Sequence, residues 1–302
     1  MIDASIVARI AARLSAALAP PAGPLLPLQV GAAIVGWLDP VRAARLVPFS
    51  DTFAGHADAV MLSPALSDAA ARTAALDRVA RALAAEGRLS AWRGEQYAVA
   101  GVFGELPLFL LERAAARWFG IVTYAAHVNG LVRDDDGIRM WFARRSPAKA
   151  IDPGMLDNLV GGGIAARQSV AATVVKEARE EAGIPAAMAA SAQAAGALQI
   201  CRAPSDGLQR EAIFVHDLWL PAGFVPVGED GEAVEHRLVT LPEAARLIAL
   251  ADGPDVVTAD ASLVVLDCLL RHGAIAPDTP GYLDLQALRH PSLDVVSASS
   301  RA

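Results

Sequence analysis

The sequence predicts an α/β protein in which a smaller α+β unit precedes a domain with a mixed sheet covered by helices on both faces. Two observations lead to this prediction. From residue 121 onward, strand-like runs flank one central helix and two helical stretches close the chain. Before residue 121, short apolar runs alternate with a long amphipathic helix. Strands and helices mixed in this way pack as layers around a shared sheet.

The first 120 residues divide into an arm and a domain. Residues 1–29 contain a short amphipathic helix and then the stretch APPAGPLLP, which we interpret as a linker or docking arm. Residues 30–120 are long enough for an α+β N-terminal domain. Its predicted elements are a strand within 30–38, a helix over 67–87, a strand at 96–103 and a helix over 106–120.

Residues 121–290 are predicted to form the second domain. IVTYAAHVNGLVR and IRMWFARR are strand-like and are joined by DDDG, which is a hairpin signal. AAGALQICR and EAIFVHDLWLP are two further strands, and LPEAARLIAL and TADASLVVLDCLLRHG are helices. Residues 291–302 are expected to be a frayed tail.

Composition narrows the classes of partner. The net charge of -7 argues against nucleic acid as a partner. The chain has no apolar run of the ~18 residues that a membrane span requires, so we expect no membrane partner. Cys201 and Cys268 are isolated and lack metal-ligand spacing, which is typical of reduced thiols in a cytoplasmic protein. The sequence leaves the oligomeric state open.

One stretch violates the rules that stabilise helices. GGGIAARQSVAATVVKEAREEAGI spans residues 161–184, and Ser169 and Gly183 are suited to cap a helix between them. Its last turns carry Glu177, Glu180 and Glu181 within an arc of roughly 100°. Acids are unfavourable at the negative end of a helix and repel one another there. Such a violation indicates a functional site.

The chemistry of these glutamates suggests a metal ion. Crowded carboxylates disfavour ionisation unless a divalent cation neutralises them. Oxygen ligands suit Mg²⁺, for which Mn²⁺ can substitute, and such ions assist hydrolysis of diphosphates. Gly162 and Gly163 would let the backbone approach a phosphate closely. The alternatives are a solvated acidic helix face and a simple turn from strand to loop.

The stretch resembles the Nudix box. Gly162 takes the position of the first glycine, Gly183 that of the late glycine and Ile184 that of the final aliphatic residue. The three glutamates match the acids of the box helix. Gln168 and Lys176 depart from the pattern, which has Glu and Arg there. We expect Lys176 to point away from Glu177, so that an amide–ammonium hydrogen bond to Gln168 replaces the family's ion pair.

The resemblance extends over roughly residues 30–290. Segments such as WFARRSPAKAIDPGMLDN and WRGEQYAV are similar to a Nudix branch with its own N-terminal domain, which some fungi fuse to thiamine pyrophosphokinase. The resemblance implies an α/β/α sandwich and Mg²⁺-dependent hydrolysis of a small-molecule diphosphate. It suggests thiamine diphosphate or its oxidised forms as the substrate.

The resemblance also implies roles for individual residues. Glu177, Glu180 and Glu181 would bind the metal ion, and one of them would act as the base. Glu235 matches a family acid outside the box and is either a further ligand, the base or a surface residue. The candidate diphosphate clamps before the box are Arg144, Arg145 and Lys149, unless they form an ordinary solvated loop.

The sequence is also compared with three alternative functions. A nucleoside-diphosphate derivative could be the substrate, or the altered box could mark a non-catalytic ligand-binding Nudix module. The region before the box also looks like the start of isopentenyl-diphosphate isomerase. That chemistry needs a cysteine soon after Asn158, whereas Leu159 and Val160 follow.

Overall fold

A computed structural model describes residues 2–56, 58–89 and 91–290. The predicted tail at 291–302 lies outside the described residues. The first part of the chain forms, in order, α1 (Ala4–Ala17), β1 (Leu26–Val30), β2 (Ala33–Leu38), α2 (Pro40–Arg45), β3 (Phe53–His56), β4 (Ala59–Leu62), α3 (Ala69–Ala85), β5 (Gln96–Val99), β6 (Phe109–Glu112) and α4 (Ala116–Phe119).

The second part is built on a seven-stranded mixed sheet. Its elements are β7 (Val122–Asp134), β8 (Gly137–Arg145), β9 (Leu156–Asn158), β10 (Val160–Gly163), α5 (Val170–Ala182), α6 (Ala186–Ala189), β11 (Gln193–Arg202), β12 (Gln209–Trp219), β13 (Ala233–Thr240), α7 (Leu241–Ile248), α8 (Ala259–Arg271) and α9 (Tyr282–Ala287). The order is β11-β12-β7-β8-β13, with β10 beside β7 and β9 beside β8. Among the described strands of this sheet, β7 and β12 pair in parallel, and the other neighbouring pairs are antiparallel.

Helices cover both faces of this sheet. One buried cluster joins residues of the sheet to α7 and α8, and another joins the opposite face to α5 and α6. The predicted mixed sheet between two helical layers is therefore confirmed. Among the described residues, no helix is long and apolar enough to cross a membrane.

The N-terminal domain packs around α3 and a four-stranded sheet ordered β2-β1-β4-β3. The predicted helix over 67–87 is confirmed, with the Asp68 side chain as its N-cap. The predicted helix over 106–120 is wrong at its start. Residues 109–112 instead form β6, which pairs with β5, and only a 3-10 turn and α4 follow. A short apolar run does not by itself distinguish a strand from a helix.

The N-terminal helix is not a free arm. Ile6, Val7, Ile10 and Leu14 of α1 are buried in the same cluster as α7, α8 and α9. The Arg13 guanidinium donates from Nη1 to the Ile248 carbonyl at 2.7 Å. The helix at the start of residues 1–29 thus belongs to the core of the second domain, because its apolar face finds a partner there.

The two domains meet at Gly120, which ends α4. Gly120 has a φ of 56°, and an added Cβ would overlap the carbonyl oxygen of Trp37 in β2. Its own carbonyl accepts a hydrogen bond from Arg210 Nη1 of β12 at 3.2 Å. This glycine therefore holds the N-terminal domain against the start of the large sheet.

We expect Gly120→Ala to lower the free energy of unfolding by more than the ~1–2 kcal/mol that a left-handed alanine costs. The excess would come from the overlap with Trp37. The measurement is urea unfolding followed by circular dichroism.

Gly31→Ala is the matched control, because Gly31 has a φ of 58° but nothing within 4 Å of an added Cβ. Gly31→Ala should lower the free energy of unfolding only by the cost of a left-handed alanine. Equal losses in the two variants would show that the contact at Gly120 does not constrain the junction.

Candidate active site

Helix α5 brings two of the three glutamates against strand β10. Ser169 Oγ accepts from the Ala172 amide at 3.1 Å at its start, and Gly183 in the left-handed conformation ends it. Glu181 Oε2 accepts a hydrogen bond from the Gly161 amide at 2.8 Å. The Glu177 carboxyl group lies where a Cβ on Gly162 would be, so a side chain there would expel it.

Lys176 lies among these glutamates. Its ammonium is 2.9 Å from Glu177 Oε1 and 3.1 Å from Glu180 Oε2. The prediction that Lys176 points away was therefore wrong, and Gln168 instead accepts from the Thr173 hydroxyl at 3.3 Å. Burial lowers the pKa of Lys176, but its contacts with the two carboxylates outweigh this and raise it. A cation thus already bridges two of the predicted metal ligands.

These groups line a cavity of about 430 Å³ that both domains enclose. The predicted site residues that line it are Glu177, Glu180, Glu181, Gly162, Gly163, Arg145 and Lys149. The N-terminal domain contributes a wall that includes Arg88, Arg93, Tyr97, Arg113 and Arg117. The cavity therefore places acids, glycine backbone and cations around one volume, as binding of a diphosphate requires.

Two of the predicted diphosphate clamps lie in this cavity, and both are paired with acids. Arg145 Nη1 is 2.7 Å from Asp157 Oδ2, and the Lys149 ammonium contacts a carboxylate oxygen of Glu232. Arg93 of the N-terminal domain lies 3.2 Å from the same carboxyl group. A bound phosphate would therefore compete with Asp157 and Glu232 for these cations.

Arg144 and Glu235 do not line the cavity. Neighbouring residues of a strand point to opposite faces of the sheet, so Arg144 faces away from Arg145. Arg144 Nε donates to Glu235 Oε2 at 2.5 Å, and Arg144 Nη2 donates to Asp255 at 2.6 Å. The hydrogen bond from Arg144 lowers the pKa of Glu235. The structure thus places Arg144 and Glu235 in an ion pair outside the cavity, apart from the other predicted site residues, and their roles as phosphate clamp and as ligand or base stay predictions.

Negative charge accumulates around Glu181. Burial is the main cause that raises its pKa to about 8, and the charges of Asp157 and Glu177 act in the same direction. The Gly161 amide and the Lys149 charge oppose this shift. A cation at this point would relieve the cost of holding these carboxylates together.

The donor set fits a hard divalent ion. Mg²⁺ takes one or two carboxylates and completes its sphere with water and substrate phosphates. The contacts of the Lys176 ammonium with Glu177 and Glu180 mark a position where a cation is stabilised. The helix glutamates therefore suit Mg²⁺ or Mn²⁺ once the ammonium has moved aside.

A second group of potential ligands has another role. Asp217, Cys268 and His272 are the described residues that bring three such atoms within 4.8 Å of one another. Arg271 already binds both oxygens of Asp217, at 2.6 and 2.9 Å, and His272 Nε2 is 2.8 Å from Oδ2. Asn129 donates to the same carboxylate at 3.0 Å. Since Arg271, His272 and Asn129 already satisfy the Asp217 carboxylate, we interpret this group as structural.

The cavity also contains acids that sequence reasoning missed. Glu211 of β12 and Asp260 of α8 line it, and the Gln209 amide donates to both, at 2.7 and 3.0 Å. Glu211 lies on β12 and Asp260 at the start of α8, so they meet only through the tertiary fold, which no local pattern announces. His127 and Asp157 also line the cavity, and His127 Nδ1 is 2.8 Å from Asn158 Oδ1.

Comparison with known proteins finds relatives for both parts of the chain. Residues 123–260 match the NUDIX domain, and residues 16–123 match a domain of unknown function, DUF4743. Nudix hydrolase 24, chloroplastic, from Arabidopsis thaliana is 37% identical over 87% of this chain and 72% of the relative. Nudix hydrolase 20, chloroplastic, from the same plant is 36% identical over 89% of this chain and 74% of the relative. A crystal structure of DR0079 from Deinococcus radiodurans is similar over 47% of this chain and 80% of that chain, with 24% identity and a TM-score of 0.33.

A mixed sheet that presents a glutamate-bearing helix to a glycine strand defines a Nudix-type phosphoanhydride hydrolase. The chain belongs to the Nudix hydrolase family. The relation to the fungal thiamine pyrophosphokinase fusion and the cytoplasmic location stay predictions.

We expect Glu181→Gln to abolish the stabilisation that Mg²⁺ confers and to reduce turnover by about two orders of magnitude or more. Stability without metal should not fall, because the amide oxygen can still accept from Gly161 while the repulsion disappears. The readouts are Tm with and without Mg²⁺ and the hydrolysis rate.

Glu86→Gln is the matched control, since Glu86 is half-exposed, lies outside the cavity and only approaches Arg45 at 3.9 Å. It should change neither readout. A Glu181→Gln protein that melts earlier yet stays active would refute the assignment.

Proposed function

We propose that this Nudix hydrolase uses Mg²⁺, or Mn²⁺ in its place, to cleave the diphosphate linkage of a small molecule that carries a flat heteroaromatic ring. The observation that supports this best is the single cavity shared by the helix glutamates, the glycine strand, Arg145 and Lys149. Its polar end suits a diphosphate, and its remaining volume suits a small organic group.

Each side chain has a separate task in this proposal. Glu177 and Glu180 would hold the metal ion, which when bound neutralises phosphoryl charge and activates water. Arg145 would leave Asp157, and Lys149 would leave Glu232, to bind phosphate oxygens. These contacts would favour an in-line orientation of the diphosphate. Gly162 and Gly163 line the same wall, where the lack of side chains makes room for the Glu177 carboxyl group and the Tyr97 hydroxyl beside the expected phosphate position.

We assign the role of base to Glu181, which would accept the proton of the attacking water. One oxygen of this carboxylate is fixed by the Gly161 amide, while the other has no hydrogen bond to a described residue and belongs to the cavity wall. A base needs this combination of fixed orientation and a free lone pair. Glu235, the alternative base, is occupied by Arg144 and Arg237.

The substrate we propose first is thiamine diphosphate or one of its oxidised forms. The support is the resemblance of the segments outside the box and the contribution of the N-terminal domain to the cavity. Attack between the phosphates would release inorganic phosphate and leave a monophosphate. Nucleoside-diphosphate derivatives are the rival class.

Metal dependence is the first test. Hydrolysis of a diphosphate panel should require millimolar Mg²⁺ or Mn²⁺ and should stop in excess chelator, because the ligands are carboxylate oxygens. Phosphate release is the measurement, and restoration by added Mg²⁺ controls for damage by the chelator. Undiminished turnover in EDTA would contradict the proposal. A protein that binds diphosphates but never hydrolyses them would instead be a non-catalytic Nudix module.

Substrate class is tested by competition. Equal concentrations of thiamine diphosphate, its oxo form, ADP-ribose and 8-oxo-dGTP are mixed with the protein, and the products are followed by mass spectrometry. We expect one of the thiamine compounds to disappear first. Loss of either nucleotide substrate about tenfold faster would reject the thiamine assignment and leave the hydrolase proposal intact.

A further inference from the structure

The last turn of α5 presents three carbonyl groups that need hydrogen-bond donors from outside the helix. The amides of Gly183 and Ile184 turn back to carbonyls that precede these three, and Pro185 has no N–H group to offer. The carbonyls that remain at a helix end must be satisfied by other parts of the protein or by water. Here they belong to Glu180, Glu181 and Ala182.

One segment of the second domain supplies a donor to each of them. The backbone amides of Val227 and Glu229 lie 3.1 Å and 2.7 Å from the carbonyl oxygens of the residues after and before Glu181. The third donor is the ring of His236 in β13, whose Nε2 lies 3.2 Å from the Glu181 carbonyl oxygen. A carbonyl oxygen only accepts, so the ring carries a proton on Nε2 in this contact. We call residues 227–236 the helix clasp.

Strand alternation explains why His236 faces the helix. His236 pairs with Ala143 of β8, and Leu238, two residues further along β13, packs against the cluster that contains the buried face of α5. Residues two apart on a strand share a face, whereas neighbours lie on opposite faces. Glu235 accordingly points the other way and binds Arg144.

The clasp and the helix end are in close backbone contact. A Cβ on Gly228 would lie 2.9 Å from the Glu181 carbonyl oxygen, and a Cβ on Gly183 would lie 2.5 Å from the Val227 carbonyl oxygen. Both distances are too short for a side chain, so glycine at these two positions lets the clasp reach the carbonyls.

Glu181 is thereby held at two points. Its Oε2 accepts from the Gly161 amide at 2.8 Å, and its carbonyl accepts from His236. The first contact fixes the side chain and the second fixes the main chain from which that side chain extends. Groups that orient a metal ligand or a base in this way affect its function although they touch neither ion nor substrate.

Resting on the proposed function, we infer that His236 is a positioning residue that acts through Glu181. Its Nε2–H group holds the main chain of Glu181, so that the carboxylate stays on the Gly161 amide and faces the cavity. His236 itself does not line the cavity, as far as the described residues define it. It therefore orients the reacting groups without contacting them.

Hydrogen exchange of the Gly161 amide tests this inference without metal or substrate. His236→Leu removes the donor, and the Gly161 amide should then exchange about tenfold faster, because the carboxylate that protects it is less well fixed. The Ile164 amide, which donates to the Tyr124 carbonyl at 2.8 Å, is the internal reference and should keep its rate. His236→Gln, whose amide can donate from the position of Nε2, should restore the natural rate. The rates are measured by NMR.

Metal binding provides a second readout. His236→Leu should weaken Mn²⁺ binding about tenfold, as followed by electron paramagnetic resonance, and should lower kcat with little change in KM. His236→Gln should again behave like the natural protein. Gly31→Ala is the control for a purely structural effect, because it lowers stability far from the helix end. It should change neither the Mn²⁺ affinity nor the exchange rate of Gly161 relative to Ile164.

The outcomes separate this inference from the proposed function. An unchanged Gly161 exchange rate in folded His236→Leu protein overturns the positioning role, whatever the protein hydrolyses. If the leucine variant does not fold, His236→Asn replaces it, because its shorter amide does not reach the Glu181 carbonyl. Equal exchange in the Asn and Gln variants would likewise overturn the role. Faster Gly161 exchange in a protein that hydrolyses no diphosphate rejects the proposed function and retains the clasp.

Discussion

The close approach of helix α5 to strand β10 is the constraint on which the site depends. Glu177 reaches the strand because Gly162 carries no side chain, and Glu181 is fixed there by the Gly161 amide. The cost is a group of carboxylates at the negative end of a helix, where both the dipole and mutual repulsion oppose them. Lys176 offsets part of that cost in this conformation. A divalent ion would offset more, which links the stability of the helix end to its function.

Both domains contribute residues to the cavity that contains these glutamates. The N-terminal domain meets the large sheet at Gly120, next to the start of β7 and close to β12, and Tyr97 and Arg113 of that domain line the cavity. The helix glutamates of α5 line the same volume as Glu211 of β12 and Asp260 of α8. A substrate that fills this volume would touch residues of both domains. This gives the domain matched to DUF4743 a physical reason to be present.

The sequence predicted the parts that local patterns encode. The capped helix α5, the β7–β8 hairpin and α3 follow from cap residues, turn residues and apolar spacing. Resemblance to the Nudix box supplied the three glutamates, which the structure brings to one cavity. The roles of residues outside the box were harder to predict. Arg144 and Arg145, for example, are adjacent in sequence but face opposite sides of β8.

What the sequence missed depends on long-range packing. Helix α1 joins α7, α8 and α9 although more than 200 residues separate them in the chain, and its apolar face alone does not name this partner. Glu211 of β12 and Asp260 of α8 meet only in the folded protein. Lys176 turns toward Glu180 because the side chains are one helical turn apart. Strand β6 was mistaken for a helix because its partner β5 decides its conformation.

The central claim is that the glutamates of α5 bind the metal ion. Anomalous diffraction from crystals soaked in Mn²⁺ tests it most directly, because the signal locates the ion without reference to any substrate. The account predicts a peak bound by carboxylate oxygens of Glu177, Glu180 or Glu181, with the Lys176 ammonium moved aside. A peak only at Asp217, Cys268 and His272, or no peak at α5 in a protein that hydrolyses diphosphates with Mn²⁺, would contradict it.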